Sequence, residues 1–313
     1  MGSFLSELGS VVSEHEPLAS HTRFGLGGPA RWFVQPENSE QLCVVVQQCR
    51  AEGVALRVLG FGANLLVGDD GVDGVVVRLK SPHFRKVDWC SSPGDRLSNG
   101  TIVVAGGADL GRLSLDAARH GLSGLECMGG IPGTVGGTIR MNAGGRFGEI
   151  GDVVDDVTVV DSTGALQVLS RDEVGFGYRQ TALGESIVCE TTLKLQPDDP
   201  HRVRERLLEI WSKKKRTQPM RDCSAGCVFK NPPGHRAGQL IDQAGLKGRS
   251  VGGASVSQRH ANFIVVKEGA AAADVSKLIE MVRREVVNQF GIELELEIEV
   301  WGRQPAPCAM AVD

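Results

Sequence analysis

Aromatic residues are scarce in this chain: they make up 5% of its 313 positions, and Tyr178 is the only tyrosine. Proteins that track single-stranded nucleic acid stack bases on aromatics interleaved along a basic face. That face is missing as well. Lysine and arginine number 34 against 38 acids, the net charge is −4 and the pI is near 6.0, whereas phosphate recognition calls for a basic domain. No apolar run approaches the ~18 residues of a membrane span. The opening stretch, MGSFLSELGSVVSEHEP, lacks the basic segment and apolar core of an export signal. Gly2 and Ser6 fit the myristoylation pattern, a match short enough to be an ordinary chain start. Eight cysteines are scattered without a secretory context, so reduced thiols in the cytoplasm are expected.

Glycine, by contrast, is abundant. The 41 glycines cluster in short runs, GFGAN, GGIPGTVGG and NAGG, without collagen period or low complexity, which points to tight backbone turns. At this length about two domains and a full core are within reach. Residues 39–53 read as a helix capped by Ser39, with Leu42, Val45, Val46 and Cys49 as its apolar stripe and Gly53 as its stop. VALRVLG then reads as a buried strand, followed by the GFGAN loop, NLLVG and the strand GVDGVVVRL. The polar stretch Ser81 to Gly100, with its prolines, marks a boundary or excursion. TIVVAGG and LGRLSLDAARHG predict a strand and a helix, and VVDDVTVVDSTGALQVLS predicts a hairpin about Ser-Thr-Gly. HRVRERLLEIWSKKKR is an amphipathic helix with Val203, Leu207, Ile210 and Trp211 on one side. Its KKKR end reads as a solvated face suited to a helix C-terminus, with anion binding as the other use. ADVSKLIEMVRREVVNQFG predicts a last helix carrying Val275, Leu278, Val282, Val286 and Phe290, leading into the strand IELELEIEVWG. The class is α+β in two or three lobes.

The glycine runs fail the usual fingerprints. GFGANLL has Gly60 and Gly62, but Leu65 stands where GxGxxG needs its last glycine, and no acid follows at ribose-binding distance. GGIPGTVGGTIRMNAGG has no Lys-Ser/Thr ending, so it is no Walker loop. Both still present successive backbone N–H groups without side chains in the way, as a diphosphate requires; plain turns are the simpler alternative. Cys223 and Cys227 in CSAGCVFKNP leave several options open. A metal clip lacks a second ligand pair, a disulfide is disfavoured by compartment, and a nucleophile or two core thiols remain.

Six blocks carry a specific resemblance: HTRFGLGGPARWFVQP, VLGFGANLLVGDDGVDGVVV, GIPGTVGGTIRMNAGGRFGE, GYRQT, SAGCVFKNP and LEIEVWG. In this order, and over nearly the whole chain, they resemble the bacterial UDP-N-acetylenolpyruvoylglucosamine reductases. The resemblance implies a two-lobed FAD-binding domain of the vanillyl-alcohol oxidase type and a C-terminal α+β substrate-binding domain. On this reading the lobes span 1–80 and 81–200, the substrate domain 201–299 and a tail 300–313. The implied reaction reduces the enolpyruvyl ether of UDP-N-acetylglucosamine to UDP-N-acetylmuramate, in peptidoglycan precursor synthesis, with NADPH supplying hydride through noncovalent FAD. An oxidase on the same fold is the rival; many tether FAD through a histidine in the glycine loop, and neither GFGANLL nor GGIPGTVGG has one. The short segment between Arg179 and Cys227 matches the shorter form of the family, which lacks an inserted tyrosine-bearing loop. Partners would be the UDP-sugar and NADPH, without nucleic acid or membrane, and a cytoplasmic monomer is expected.

Hydride addition to the enolpyruvyl group throws negative charge onto its α-carbon and carboxylate, which calls for a cationic clamp and a proton donor. Arg179, in GYRQT, matches the family's catalytic arginine, and its fork suits a carboxylate; a surface ion pair is the plainer alternative. Thr181 stands where the family usually has serine. Along IELELEIEVWG, Glu293, Glu295, Glu297 and Glu299 share one strand face; Glu299 matches the catalytic glutamate, with Glu297 as fallback. Cys227 stands where most of the family carries a serine proton donor. A thiol ionises near 8.5 as a free side chain, so it can hold a proton at pH 7 and is a better acid than a hydroxyl. Nearby Lys230 could deprive it of that proton. Cys223 has no such role and reads as structural. The resemblance also assigns flavin contacts to Gly60, Phe61, Gly62, Ala63, Asn64 and Leu65, to Ile131, Pro132, Gly133, Thr134, Gly136 and Gly137, and to Asn142, Ala143 and Gly144. Substrate contacts fall to Tyr178, Lys230, Asn231 and His260, the last equally readable as a structural histidine. No metal is called for.

Overall fold

The side chain of Asn38 accepts the Gln41 amide at 2.9 Å, satisfying one of the donors that the first turn of a helix leaves unpaired. Helix α1 therefore runs Ser39–Ala51, with Leu42, Val45, Val46 and Cys49 buried as the periodicity requires. The cap lies one residue earlier than the sequence suggests, because Asn38 is still extended while Ser39 is already helical.

The computed structural model describes residue 9 and residues 11–89 and 99–302. The myristoylation pattern, residues 90–98 of the polar excursion and the tail from 303 onward lie outside them. The fold is α+β, and the chain forms two compact units. One comprises Met1–Glu14, Trp32–Phe61 and Gly74–Met220; the other comprises His15–Arg31, Gly62–Asp73 and Arg221–Asp313.

A five-stranded antiparallel sheet has the order Leu166–Ser170, Val154–Val160, Ile187–Lys194, Thr101–Ala105, Val87–Asp88. The expected hairpin is its first pair. Its core side packs Ile102, Val104, Val157, Val159 and Leu193 with Leu110 and Leu113 of α2 (Leu110–Arg119) and with Val135 and Ile139 of α3 (Val135–Arg140). A four-stranded sheet, ordered Val12–Pro17, Pro29–Val34, Val72–Val77, Leu56–Val58, buries Val34, Val75 and Val77 under α1. Its strand Leu56–Val58 is not the buried strand the sequence implies. It lies at the sheet edge, paired only with Val72–Val77, and leaves Val58 38% exposed. A short helix α4 (Arg171–Val174) ends at the left-handed Gly175.

Helix α5 (Pro200–Thr217) packs on α2 and belongs to the first unit, whereas the sequence reading starts the substrate domain at 201. Val203 and Leu207 are buried with Ala118, and Arg206 reaches Glu126 and Asp198 at 2.8 and 2.7 Å. Trp211, expected on the apolar side, remains 42% exposed.

In the second unit, α6 (Ala237–Gln243) and α7 (Ala272–Phe290) pack with the antiparallel strands Ser250–Val251, Ala254–Val256 and Ile264–Val266. Val275, Leu278, Ile279, Val282 and Val286 form the buried stripe of α7, while Phe290 is half-exposed and Gly291 ends the helix at φ +67°. Asp69 accepts the amides of Ala272 and Ala273 at 2.9 and 3.0 Å, an N-terminal cap supplied from far along the chain. The expected long strand 292–301 is short: only Glu299–Trp301 forms a ladder, parallel to Leu65–Val67. Alternation persists upstream, with Leu294 and Ile298 buried and Glu293, Glu295 and Glu299 outward.

Candidate active site

The two glycine loops meet in the first unit. A Cβ built on Gly60 would lie 2.8 Å from Thr134 Oγ1, so the absence of a side chain is what lets the loops approach. Among the described residues, the amides of Gly60, Phe61, Gly133 and Thr134 have no protein acceptor. The rest of the second loop is committed. Ile131 donates to Met128, Val135 to Ala108, Gly136 to Gly106 at 2.7 Å and Gly137 to the Thr134 hydroxyl at 3.2 Å, and Pro132 has no N–H. The twelve residues assigned in these loops therefore contribute unequally. In the second unit, the amides of Gly62, Ala63 and Asn64 are likewise without a protein acceptor, and Leu65 starts the strand paired with Glu299. Within the first unit, the unspent amides of Gly60, Phe61, Gly133 and Thr134 fit an anionic group such as the diphosphate of FAD. Gly62 has an added reason for its identity: at φ +58° a Cβ would fall 2.4 Å from the His21 carbonyl.

Arg179 occupies the second corner of a tight turn. Gly177 and Gln180 exchange backbone hydrogen bonds of 3.0 and 3.3 Å, and Arg179 takes a left-handed φ of +56°. Such a conformation costs an arginine about 1–2 kcal/mol. Its guanidinium donates to the Gly144 carbonyl at 2.7 Å and toward the Asn142 carbonyl at 3.4 Å, and it lies 5.3 Å from the ring centroid of Tyr178, itself half-exposed. Asn142 is buried, and its side chain bonds Glu149, the Gly177 carbonyl and the Gly151 amide. The amides of Asn142 and Ala143 donate to Ile139 and Thr138. These positions, assigned to flavin, spend their backbone donors inside the protein; the carbonyls of Asn142 and Gly144 seat Arg179. The Thr181 hydroxyl donates to the Arg140 carbonyl at 3.0 Å, which explains why a hydroxyl residue sits there.

In the second unit, the segment carrying Cys227 is held on both sides. Cys227 bridges Phe263, and Cys223 bridges Val266 on the same neighbouring strand. The buried Asn262 pairs twice with Phe229, accepting its amide at 2.9 Å and donating to its carbonyl at 2.8 Å. On the other side, Phe229 bridges Leu296, Glu297 donates its amide to Val228 at 2.8 Å, and Lys230 donates its amide to Glu295 at 2.9 Å. This antiparallel register sets the half-buried Cys227 beside the segment that ends in Glu299. Asn64 ties that segment to the glycine loop: its side chain donates to the Glu297 carbonyl at 3.0 Å, and its own carbonyl accepts the Glu299 amide at 2.9 Å. Glu299 is exposed and accepts Trp301 Nε1 at 3.1 Å.

Comparison with known proteins decides the family. The UDP-N-acetylenolpyruvoylglucosamine reductase C-terminal domain matches residues 218–301, and the FAD binding domain matches residues 30–170. The UDP-N-acetylenolpyruvoylglucosamine reductase of Moorella thermoacetica is 42% identical over 96% of this chain and 97% of its own. Its counterpart in Geobacillus thermodenitrificans is 40% identical over 94% of each. The crystal structure of the enzyme from Thermus caldophilus, 41% identical, superposes over 93% of this chain and 98% of that one with a TM-score of 0.78. The chain belongs to the UDP-N-acetylenolpyruvoylglucosamine reductase family. It is an FAD-dependent oxidoreductase with a vanillyl-alcohol-oxidase-type cofactor domain.

For this family member, the sequence-assigned substrate contacts have definite surroundings. Lys230 sends its ammonium toward Glu295 at 3.5 Å. Asn231 accepts the Ala237 amide at 3.0 Å and so helps start α6. His260 accepts the Asn262 amide at 3.3 Å, stacks edge-on to Phe263 at 5.0 Å and has its pKa pushed down by burial and by Lys247; these are the surroundings of a structural imidazole. Sequence reasoning passed over Asn262, although it lies in the QRHANFIV stretch. A buried asparagine beside a chemistry-bearing loop is recognisable only once its partners, 33 residues away, are known. Lys214 was read as part of a solvated tail. It is partly buried, donates to the Cys127 carbonyl at 3.0 Å, and has its ammonium pKa lowered to about 8, chiefly by burial and further by Arg179.

Proposed function

We propose that the protein reduces the enolpyruvyl group of UDP-N-acetylenolpyruvoylglucosamine to give UDP-N-acetylmuramate, using NADPH and FAD, in cytoplasmic peptidoglycan precursor synthesis. Its products would thereby serve cell shape and division, and it would act as a monomer, apart from membrane and nucleic acid. The observation that carries the reading is the clamped Cys227 segment lying beside the Glu299 segment, in a chain whose relatives bear this activity's name over nearly their whole length.

When bound, FAD supplies to the terminal vinyl carbon the hydride it has taken from NADPH. The amides of Gly60, Phe61, Gly62, Ala63, Asn64, Gly133 and Thr134 would hold its diphosphate. The chain's own residues then manage charge and proton. Arg179, already turned onto two carbonyls, orients the substrate carboxylate and stabilises the negative charge that spreads onto it as the carbon–carbon double bond is reduced. Cys227 delivers its thiol proton to the α-carbon, so one hydride and one proton convert the vinyl ether to a lactyl ether and leave the thiolate to be reprotonated from water. Glu299 would act beside the same charge, with Glu297 as the fallback. Lys230 lies toward Glu295. Tyr178, Lys230 and Asn231 would contact the UDP-sugar.

The test is direct. The purified protein should be yellow and release its flavin on denaturation. NADPH should bleach it, and the enolpyruvyl substrate should restore the colour while UDP-N-acetylmuramate forms. Flavin retained on the denatured polypeptide, or no reoxidation by that substrate, would overturn the assignment.

A further inference from the structure

Helix α5 is pinned by its own arginine. Arg206 makes two hydrogen bonds to Glu126 Oε1, at 3.0 and 2.8 Å, and one to Asp198 at 2.7 Å, which sets the rotation of the helix. Lys214, eight residues on and hence on about the same face, is delivered inward. Its stem lies over Gly130, where a Cβ would meet Lys214 Cδ at 3.5 Å. Its Nζ donates to the Cys127 carbonyl. Cys127 in turn touches the hairpin Gly144–Glu149: a Cβ on Gly148 would lie 3.4 Å from its Sγ. Arg179 donates to Gly144 of that same hairpin. The two cations thus rest on one small scaffold of carbonyls, and the ammonium feels the guanidinium. Among the described residues, Lys214 has no carboxylate within ion-pair distance; a carbonyl is its hydrogen-bond partner.

A lysine drawn from water, set against an arginine and denied an acid is unfavourable unless an anion completes it. Nothing about the fold demands a cation there, since a neutral polar group would satisfy the same carbonyl. We propose that Lys214 is a substrate-binding residue that, with Arg179, seats the carboxylate of the enolpyruvyl group. The inference rests on the proposed function, because it takes its anion from that substrate. The two cations divide the labour: the arginine fork grips the carboxylate in its plane, and the lysine supplies a point charge at its edge. Lys214 thereby reads whether a UDP-sugar carries the enolpyruvyl acid at all.

The experiment compares two ligands on the flavin-loaded protein: the enolpyruvyl substrate and UDP-N-acetylglucosamine, which lacks the carboxylate. Binding is followed by the flavin absorbance change or by calorimetry in wild type, Lys214→Met and Lys214→Arg. Lys214→Met should weaken the enolpyruvyl ligand by roughly 10- to 100-fold, the worth of a hydrogen bond to a charged group. It should leave UDP-N-acetylglucosamine affinity and flavin content unchanged, and Lys214→Arg should recover most of the loss. Equal weakening of both ligands would mean a structural role and overturn the proposal. So would an unchanged ligand preference accompanied by a lowered flavin midpoint potential, which would mean that the ammonium serves the reduced cofactor instead. Wild type that fails to bind or reduce the enolpyruvyl ligand would instead sink the functional reading itself, a distinct result.

Discussion

Arg179 holds a left-handed backbone that an L-residue adopts at a cost, and the guanidinium is turned onto two carbonyls by that turn. Local strain at a charged, partly exposed residue is typical of positions kept for chemistry. Arg179→Ala retains the strained φ, so its effect on stability should be small. Its effect on the second half-reaction should be large: flavin reduction by NADPH nearly unchanged, and reoxidation by the enolpyruvyl substrate slowed by roughly 10²–10³-fold, the usual worth of one donor to developing charge. Stopped-flow measurement of the two halves checks this, and equal losses in both would point to a cofactor or folding defect. The corresponding expectation for Cys227 is sharper. Cys227→Ala should still accept hydride onto the cofactor, yet slow substrate reduction by about 10²–10⁴-fold for want of a positioned acid. Cys227→Ser should restore much of the rate. The wild-type rate should fall on the alkaline side, where a thiol loses its proton, and the serine variant should lack that limb. An alanine variant with near-normal turnover would return Cys227 to the inert thiols.

At the scale of elements, the site depends on two short segments that carry little regular structure. The Cys227–Lys230 strip has no ladder longer than isolated bridges, and the doubly bonded Asn262 stands in for one. Asn262→Ala would orphan the Phe229 amide and carbonyl in a buried place, at roughly 1–3 kcal/mol for each group. Urea unfolding should show a loss of that order, and Asn262→Ser should recover only part of it. Gly133 and Gly62 differ in what surrounds them. Gly133 has open space around its missing Cβ, with Thr138 Cγ2 at 3.1 Å as the one close neighbour, whereas a Cβ at Gly62 collides with backbone. Gly133→Val should therefore fold and lose bound flavin, read as the ratio of visible to 280 nm absorbance. Gly62→Val should lose folded protein instead. A Gly133→Val protein with full flavin content would move the diphosphate away from that loop.

For the molecule as a whole, ionisation at high pH sets a limit. Burial raises the thiols of Cys49 and Cys127 to about 11 and of Cys189 to about 12. A folded-state pKa above the unfolded value contributes stability that is complete below the unfolded pKa and is lost as pH climbs through the folded one. Lys214 works in the opposite sense. Its ammonium is disfavoured in the fold, with a pKa lowered to about 8, so the unfolded chain binds more protons above that pH and stability gains there. Four groups oppose one, since burial raises the Cys43 thiol as well. Under reducing conditions, the unfolding free energy should fall between about pH 9 and 10.5, the interval bounded by ordinary thiol and lysine values. Cys189→Ala should flatten that slope whatever it does to absolute stability. A stability that rose across this interval would contradict the burial of these thiols.

The sequence by itself determined the helices with clean 3.6-residue stripes, α1, α2 and α7, the hairpin at Ser-Thr-Gly, and the acidic, aromatic-poor surface chemistry. These are local properties: periodicity and turn chemistry act within a dozen residues. The residue types proposed for carboxylate clamping and proton delivery stand in motifs that keep their order along the chain. What the tertiary structure alone decided is where polar groups find partners. It spent the amide of Gly136 on the Gly106 carbonyl, gave α7 its cap from Asp69, paired the last strand, Glu299–Trp301, with Leu65–Val67, and turned Lys214 inward under the hold of Arg206 on α5. Each of these joins residues far apart in the chain. Hydrogen-bond satisfaction in a packed interior is a global requirement, and no window of sequence contains both donor and acceptor.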